Sequence, residues 1–449
     1  MADFDPLHDK AYAQRLTQLG EKREIVASED IFNDQGILLI KKGSPINERM
    51  ADKIIRFKLI KPIEASVDIN NSLGAADLYR DLMEILDRFP QIKRVHLRIE
   101  IDSTIRQLCS SYAKFAIMKQ KLTVLKEQMN TLYRQSLGIA WLSVVIAHNM
   151  KLSAQQVEVC FLAALAHDIG MMHIDPVIVN KREALTPAEW RQIQAHAIIS
   201  QKVLEGISGM DPRVALAVSE HHERCDGSGY PVGRFAHQLC AEGQVIALSD
   251  SAIAVYVKRL LPNGRNLRDL MPLLQVNSES HFYDTYKALI LLLRDAELDE
   301  SPFTTNESLD AQIDKLTRDN DRLTLLLNCL EQVIGLFKEG VNHKLLASAK
   351  TVLIQVMRIV RGSGILDAGY LRWLQQVRKE RLSFAYREID DVSLMLDEIE
   401  WHLGRVKKML DAFIEQGPVS ENPLKDLIRA ELKKAEQEAD TARAEYAIT

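Results

Sequence analysis

The most informative part of this sequence is SAQQVEVCFLAALAHDIG, residues 153–170. Ser153 is a typical helix N-cap, and the apolar residues after it recur at helical spacing, so we predict a helix from Ser153 to Ala166. His167 and Asp168 come directly after this apolar helix. Imidazole nitrogens and carboxylate oxygens are ligands of divalent zinc, iron and manganese in proteins. The stretch therefore predicts a helix that ends at a candidate metal site.

Three further groups of the same residue types follow at intervals of about 25–30 residues: His196, the pair His221-His222, and Asp250. A helix signature at 186–189, a hydroxyl cap followed by Pro and Glu, places His196 in the middle of a helix. Taken singly, each group is more often an ordinary hydrogen-bonded side chain than a ligand. On successive helices, however, they are what a bundle needs to direct several ligands into one cleft. An adjacent histidine and aspartate also let a carboxylate bridge two metals about 3.5–4 Å apart, which suits phosphodiester hydrolysis.

A loop rich in glycine, proline and polar residues follows the histidine pair, at 223–237. Gly227 and Gly229 permit positive φ and Pro231 fixes its own φ, so the pattern is also typical of a purely structural turn.

The motifs His167-Asp168-Ile169-Gly170, His221-His222-Glu223 and Asp226-Gly227-Ser228-Gly229-Tyr230-Pro231 together resemble the HD-GYP family, a branch of the HD superfamily of metal-dependent phosphohydrolases. The resemblance implies an all-helical domain, a centre of divalent transition metals, often iron or manganese, and hydrolysis of cyclic di-GMP to pGpG or GMP. It implies as metal ligands the residues His167, Asp168, His196, His221, His222 and Asp250, with Asp168 as the bridging catalytic residue. It implies contact with substrate guanine, or docking of diguanylate cyclase domains, for the loop residues Asp226, Gly227, Gly229, Tyr230 and Pro231.

Three positions depart from the family pattern. Gln135 stands where the family has a histidine, and Thr131 where trinuclear members have a glutamate. Neither is a strong metal donor, so we expect two metals at most, one of them short of a ligand. Met171 replaces a lysine whose expected role is to stabilise charge on the phosphate, and loss of one such group commonly lowers the rate about 10²–10³-fold. We therefore expect a weakened cyclic di-GMP phosphodiesterase or, alternatively, an inactive relative that acts as a cyclic di-GMP sensor or signalling scaffold.

The composition excludes several other classes of protein. Of the 449 residues, 47% are hydrophobic and 27% are charged, and the net charge of −5 argues against binding to nucleic acid polymers. No uncharged stretch approaches the roughly 20 residues that a membrane helix needs. Five scattered cysteines support no disulfide framework. We expect a bacterial, cytoplasmic protein of several domains.

The predicted fold is mainly α, with four regions along the chain. A small α+β domain at 1–72 combines β-type runs at 23–32 and 36–46, a helix at 47–59, and an edge strand at 60–69 that contains Pro62. Connecting helices follow at 73–129. The HD-GYP domain is predicted at 130–296, and a helical C-terminal domain at 305–449.

Two heptad seams run through the C-terminal domain. The first extends from Leu309 to Phe337 and includes Asn320, and the second extends from Ala385 to Phe413. The seams could pack on each other within one chain as an antiparallel hairpin. They could instead form a homodimeric coiled coil, with Asn320 setting its register, and the regularity of the seams slightly favours this second arrangement.

Overall fold

The chain is mainly α-helical, as the sequence predicts, with only two small two-stranded sheets among the residues that the structure describes. The computed structural model describes residues 5–337 and 343–446. These residues divide into two units. The first comprises the described residues up to Arg224, together with Gly229–Val255 and Asp284–Glu297. The second comprises Cys225–Ser228, Tyr256–Tyr283 and the described residues from Leu298 onward.

The first unit contains all of the strands and most of the helices. The strands are β1 (Ile25–Ala27), β2 (Ile31–Phe32), β3 (Leu38–Ile40) and β4 (Val67–Ile69). Its helices are α1 (Lys10–Leu19), α2 (Glu48–Arg56), α3 (Ala75–Asp87), α4 (Pro90–Ile99), α5 (Asp102–Tyr112), α6 (Ala116–Gln128), α7 (Asn130–Asn149), α8 (Ala154–Ala166), α9 (Pro176–Val179), α10 (Pro187–Gln194), α11 (His196–Glu205), α12 (Pro212–Glu220), α13 (Ala241–Val255) and, apart from its first residue, α15 (Tyr283–Asp295). The second unit holds α14 (Leu270–Val276), α16 (Leu309–Gly335), α17 (Lys344–Ser363), α18 (Ala368–Glu380), α19 (Tyr386–Gln416) and α20 (Asn422–Tyr446).

The N-terminal strands are shorter than the sequence pattern predicts. The predicted run at 23–32 is divided into β1 and β2, and between them Asp30 accepts a hydrogen bond from the backbone N–H of Lys42. The predicted strand at 60–69 is reduced to β4, which pairs antiparallel with β1 so that Ile69 lies opposite Ile25. Pro62 lies outside the pairing, because it has no N–H to donate.

Helix α1, which the sequence pattern did not predict, joins the strands to the helices through a buried polar cluster. Asp9 caps α1 and forms an ion pair with His173. Lys121, fully buried in α6, lies 3.1 Å from Glu64 through Nζ and Oε1, and its Nζ is 3.3 Å from the centroid of the Tyr12 ring. We name these five residues the Lys121 cluster. Buried charges persist when they are paired in this way.

The helices that carry the candidate site form the apolar core of the first unit. Ser153 caps α8 in a capping box with Gln156, and Thr186 caps α10 in another with Glu189, so both predicted helix starts are confirmed. Helix α8 is buried on nearly every side, from Val157 to Ala166, and so is the run from Val245 to Leu248 in α13. Such burial fixes the helix ends and the side chains they carry.

Both heptad seams are buried within one chain, in the second unit. Residues of α16 such as Leu323 and of α19 such as Leu403 are fully buried in a core that also includes α17, α18 and α20. The amide of Asn320 donates to the backbone carbonyl of Ile365 at 3.1 Å. A bundle of several helices thus replaces the predicted two-helix hairpin, and Asn320 is bonded inside it. A homodimer stays a prediction, and it would have to use other surfaces.

No helix in the described ranges combines the length and the apolar character that crossing a bilayer requires.

Candidate metal centre

Four helices bring the donors predicted from the sequence into one region of the first unit. His167 follows α8, His221 and His222 follow α12, and Asp250 lies in α13. The prediction that His196 lies in the middle of a helix is wrong, because α10 ends at Gln194 and His196 is the first residue of α11. At this junction the His196 side chain bonds the carbonyl of Ile193.

Three of the imidazoles are held in the same orientation. Each places Nδ1 against the backbone carbonyl three residues earlier, at 2.8 Å for His167, 2.7 Å for His196 and 2.5 Å for His221. A carbonyl can only accept, so Nδ1 carries a proton in all three rings, and Nε2 is the atom left to bind a metal. Metal-bound histidines show this same arrangement, in which the second nitrogen is fixed by a carbonyl or a carboxylate.

The Nε2 atoms converge on the carboxylate of Asp168. Nε2 of His196 lies 3.2 Å from Asp168 Oδ1, and Nε2 of His167 lies 3.3 Å from Asp168 Oδ2. Nε2 of His196 also lies 3.2 Å from Nε2 of His221. Imidazole nitrogens and carboxylate oxygens are the donors that divalent transition metals bind in proteins, and here they meet at one point. The residues present therefore fit a divalent transition metal.

The six predicted ligands come together in two layers. One donor atom from each of Asp168, His196, His221 and His222 lies within 4.8 Å of the others. His167 adjoins this group through Asp168, and Asp250 adjoins it through His222, with 3.6 Å between Asp250 Oδ2 and His222 Nδ1. That these residues bind metal stays a prediction.

Burial and mutual charge set the protonation of the donors. Burial lowers the pKa of His222 well below its ordinary value, and the neighbouring His221 lowers it further. Burial has the same effect on the pKa of His221. Burial opposes protonation of His167 as well, but the Asp168 carboxylate outweighs it and raises the pKa of His167 to about 9. Burial also opposes ionisation of Asp168, yet His167 holds the pKa of that carboxyl well below its usual range. His221 and His222 are therefore neutral and Asp168 is ionised at neutral pH, as metal ligands must be.

Gly170 lets the chain pass directly over α11. A Cβ at this position would lie 2.1 Å from the carbonyl oxygen of His196 and 2.8 Å from Oγ of Ser200. The Ser200 hydroxyl accepts from the N–H of Gly170 and donates to the carbonyl of His167, both at 2.8 Å. The glycine after the His-Asp pair thus brings His196 close to Asp168.

The loop after the histidine pair is fixed by a glycine and an aromatic ring. A Cβ at Gly229 would lie 2.5 Å from the carbonyl oxygen of His222 and from the backbone nitrogen of Arg224. The next residue, Tyr230, donates its N–H to the same His222 carbonyl at 3.1 Å. Its ring centroid lies 4.5 Å from that of His222, and its peptide bond with Pro231 is cis. The predicted loop residues Gly229 and Tyr230 therefore lie beside the donors.

Glu223 holds the far side of this loop, a role that sequence reasoning missed. The side chain is fully buried, and its carboxylate accepts backbone N–H groups from Val232 at 2.7 Å, Gly233 at 3.0 Å and Arg234 at 2.8 Å. The available signal was an acid directly after the two histidines, followed by a loop with many unpaired backbone donors.

The loop residues Asp226 and Gly227 belong to the second unit, whereas Pro231 belongs to the first. Gly227 has φ +73° and its carbonyl accepts from Ser348 Oγ at 3.1 Å. The side chain of Asp226 accepts from the N–H of Ser228 at 2.8 Å. Arg405 donates to Ser228 Oγ at 2.5 Å and to its carbonyl at 3.2 Å. These bonds give the segment a structural role in its own unit.

The three departures from the family pattern lie as follows. Thr131 is exposed and Gln135 is half-buried, both on α7. Met171 is half-buried in the short 3-10 turn after Asp168. A half-buried amide, that of Gln135, thus stands where the family pattern has a histidine. A half-buried thioether, that of Met171, stands where the pattern has a lysine.

Comparison with known proteins agrees with this site. The HD domain family model matches residues 112–286. A cyclic di-GMP phosphodiesterase of Thermotoga maritima is 31% identical over 176 residues, which cover 38% of this chain and 47% of the relative. A 3'3'-cGAMP-specific phosphodiesterase of Vibrio cholerae is 26% identical over 46% of this chain and 50% of its own. A cyclic di-GMP phosphodiesterase of Pseudomonas aeruginosa is 30% identical over 32% of this chain and 35% of its own. The chain thus spans half or less of the length of these relatives.

The matched region contains both parts of the family's name. The His167-Asp168 pair and the Gly229-Tyr230-Pro231 loop lie within it, and the HD domain family binds divalent metals through such His and Asp clusters. Residues 112–286 are thus an HD domain, and the motifs within them are those of the HD-GYP family.

Proposed function

We propose that this protein is a metal-dependent phosphodiester hydrolase that acts on a cyclic dinucleotide, cyclic di-GMP before others, to give pGpG or GMP. The observation that carries the proposal is the group of four donor atoms, from Asp168, His196, His221 and His222, within 4.8 Å of one another. The relatives named as phosphodiesterases support the reaction type, and two of the three act on cyclic di-GMP by name.

The donor set suits two divalent cations, iron or manganese among them. Asp168 directs Oδ2 towards His167 and Oδ1 towards His196, so each of its oxygens can serve a different cation. His221 and His222 complete the group, and Asp250 would hold the cation nearest to His222. Divalent cations supply stabilisation of the negative charge that builds up on the phosphate during hydrolysis.

Two aromatic side chains beside the donors support a nucleotide as the substrate. The Tyr230 ring is tilted 31° to that of His222, and Trp190 meets Tyr230 edge to face at 6.2 Å. Trp190 is 45% exposed, so part of its ring is open to a ligand. Stacking of a base on an aromatic ring contributes about 1–3 kcal/mol whatever the base, so this pair suits a dinucleotide ligand.

The test is metal content together with turnover in protein purified without oxygen. We expect up to two Mn²⁺ or Fe²⁺ per chain, conversion of cyclic di-GMP to pGpG or GMP, and loss of both in Asp168→Ala. Parallel assays with 3'3'-cGAMP assign the substrate, since one relative is named for it. The proposal is contradicted if the protein is purified without metal and then converts neither dinucleotide after incubation with Mn²⁺ or Fe²⁺.

The second candidate is an inactive relative that binds cyclic di-GMP as a sensor or acts as a signalling scaffold. Gln135 and Met171 favour it, because an amide and a thioether stand where the family has a ligand and a cation. Calorimetry that detects cyclic di-GMP binding without turnover supports the sensor, and absence of binding leaves the scaffold. Docking of diguanylate cyclase domains to the Gly-Tyr-Pro loop is the interaction that a scaffold of this family would use.

A further inference from the structure

We infer that Arg224 is the side chain that contacts the phosphate of the substrate at this metal centre, in place of the cation that Met171 cannot supply. The inference rests on the metal centre of the proposed function, but it concerns any phosphate ligand and does not depend on which dinucleotide is cleaved. Arg224 lies two residues after His222, in the loop that follows the histidine pair. It belongs to the same unit as the donors.

Two hydrogen bonds hold the guanidinium between the chain segment after His222 and helix α13. Nη2 donates to Oγ of Ser251 at 2.9 Å, and Nη1 donates to the carbonyl of Glu223 at 3.0 Å. Ser251 follows Asp250 on α13, and its own hydroxyl donates to the carbonyl of Ala247 at 2.8 Å, which leaves its lone pairs to Arg224. The arginine is therefore positioned from the helix that carries one of the predicted ligands.

The charge of Arg224 acts on three residues around the centre. It lowers the pKa of His222, after burial and two other histidines, and it opposes the rise that burial gives to the pKa of Asp250 and Tyr230. In a partly buried site a nearby positive charge lowers the pKa of the groups around it. The same positive charge thus bears on two of the predicted ligands and on Tyr230.

Arg224 differs from the neighbouring cations in having no carboxylate partner. Arg234 forms an ion pair with the buried Glu220, and Lys181 pairs with Glu189 at 2.7 Å. Within residues 5–337 and 343–446, no carboxylate oxygen lies within 4 Å of the Arg224 guanidinium. Two of its five N–H donors are used in the bonds to Ser251 and Glu223, so the others remain for a ligand. A half-buried guanidinium without a counter-ion is suited to phosphate, which it can bind through two parallel bonds.

The experiment measures inorganic phosphate binding to the Mn²⁺-loaded full chain by calorimetry, with metal content measured on the same samples. We expect Arg224→Gln to weaken phosphate binding about 10–100-fold, the range for one lost hydrogen bond between charged groups. Arg224→Lys should lose less, about 3–10-fold, because it keeps the charge without the paired geometry. Ser251→Ala should weaken binding by a smaller factor than Arg224→Gln. Arg88→Gln, which removes an exposed charge in the same unit, is the matched control and should bind as the wild type does.

Each result decides the matter. Unchanged phosphate binding in Arg224→Gln overturns the inference, and so does loss of metal in that variant, because the arginine would then act through the ligands. Failure of the Mn²⁺-loaded wild type to bind phosphate overturns it as well. If phosphate binding depends on Arg224 but neither cyclic dinucleotide is cleaved, the proposed function fails and the role of Arg224 stands. Met171→Lys in the Arg224→Gln background should recover part of the lost affinity, which a purely structural arginine would not allow.

Discussion

The hydroxyl of Ser200 accepts a hydrogen bond from the backbone N–H of Gly170 at 2.8 Å, and this bond joins α11 to the turn that carries the His-Asp pair. The same hydroxyl donates to the carbonyl of His167, so one side chain provides hydrogen bonds for two buried backbone groups. The position of Asp168 relative to His196 depends on this contact.

We expect Ser200→Ala to lower both stability and metal affinity. Buried groups left without a partner cost about 1–3 kcal/mol, and loss of support behind metal ligands commonly lowers affinity about 10–100-fold. Thermal unfolding and Mn²⁺ titration measure the two effects. Ser110→Ala, at an exposed serine whose hydroxyl bonds only the carbonyl of Arg106, is the control. Equal behaviour of the two variants would show that the Ser200 bridge is dispensable.

Gly170→Ala should move Asp168 and His196 apart. The new Cβ would meet the carbonyl oxygen of His196 at 2.1 Å, so the turn or α11 must move, and we expect the largest loss of metal affinity among the uncharged variants. Gly138→Ala, within helix α7, is the matched control. Its Cβ would meet only the Ile253 side chain, with Cδ1 at 3.7 Å. Alanine in a helix interior is favoured over glycine by about 0.5–1 kcal/mol, so the control should be slightly more stable than the wild type. Retention of full metal affinity in Gly170→Ala would contradict the close packing.

Asp168→Asn should lose metal without unfolding. An amide keeps the shape of the side chain but removes the negative charge, and the imidazoles that now lie 3.2–3.3 Å from the carboxylate lose their counter-charge. Metal analysis after dialysis should find less than one ion per chain, with a circular dichroism spectrum like that of the wild type. Asp295→Asn, at an exposed position, should keep its metal. A variant Asp168→Asn with wild-type metal content would exclude the proposed ligand set.

Lys121→Met should destabilise the first unit without a direct effect on metal binding. Burial lowers the pKa of Lys121, and the ammonium is retained by Glu64 and Asp9. Removal of one partner of a buried ion pair typically costs about 3–5 kcal/mol, because the other charge is left buried and unpaired. Chemical denaturation measures the change in the free energy of unfolding. The control Lys114→Met removes an exposed ammonium, and similar stabilities for the two variants would mean that the cluster carries no net energy.

Acid should destabilise the same cluster. Burial opposes ionisation of Asp9, but the charge of His173 outweighs it, so the pKa of Asp9 lies below its ordinary value. A depressed folded-state pKa gives stability that is full above the unfolded value, about 3.9, and is lost as the pH falls through the folded pKa. Asp9→Asn should therefore show a shallower loss of unfolding free energy below about pH 4 than the wild type does. Parallel acid limbs for the two proteins would assign the acid sensitivity to other carboxylates.

The sequence predicts the donors well because each donor group has a local signal. His167 follows a capped apolar helix, and Asp250 closes an apolar run, so their helices could be read from spacing and composition alone. The placement of His196 was wrong because the break between α10 and α11 depends on a bond from its own ring to Ile193, which no periodicity reveals.

Contacts between distant segments are what the sequence could not give. Ser200 and Glu223 act on backbone groups that are brought to them only in the folded chain, and the sequence does not show which groups those are. The regular seams of α16 and α19 fit both alternatives equally well. A heptad pattern shows that a helix has a partner but not which helix that partner is. Helix α1 was missed because its apolar face is short and its buried positions include Arg15 and Thr17.

The Lys121 cluster determines where the first unit can be cut. The family match begins at residue 112, yet Tyr12 lies over the ammonium of Lys121, and Asp9 pairs with His173, five residues after Asp168. A fragment starting at the family boundary would leave this ammonium and this imidazole facing solvent-filled space where α1 had been. Recombinant fragments that carry the candidate metal centre should therefore begin ahead of residue 9, and shorter ones should be recovered as insoluble or protease-sensitive material.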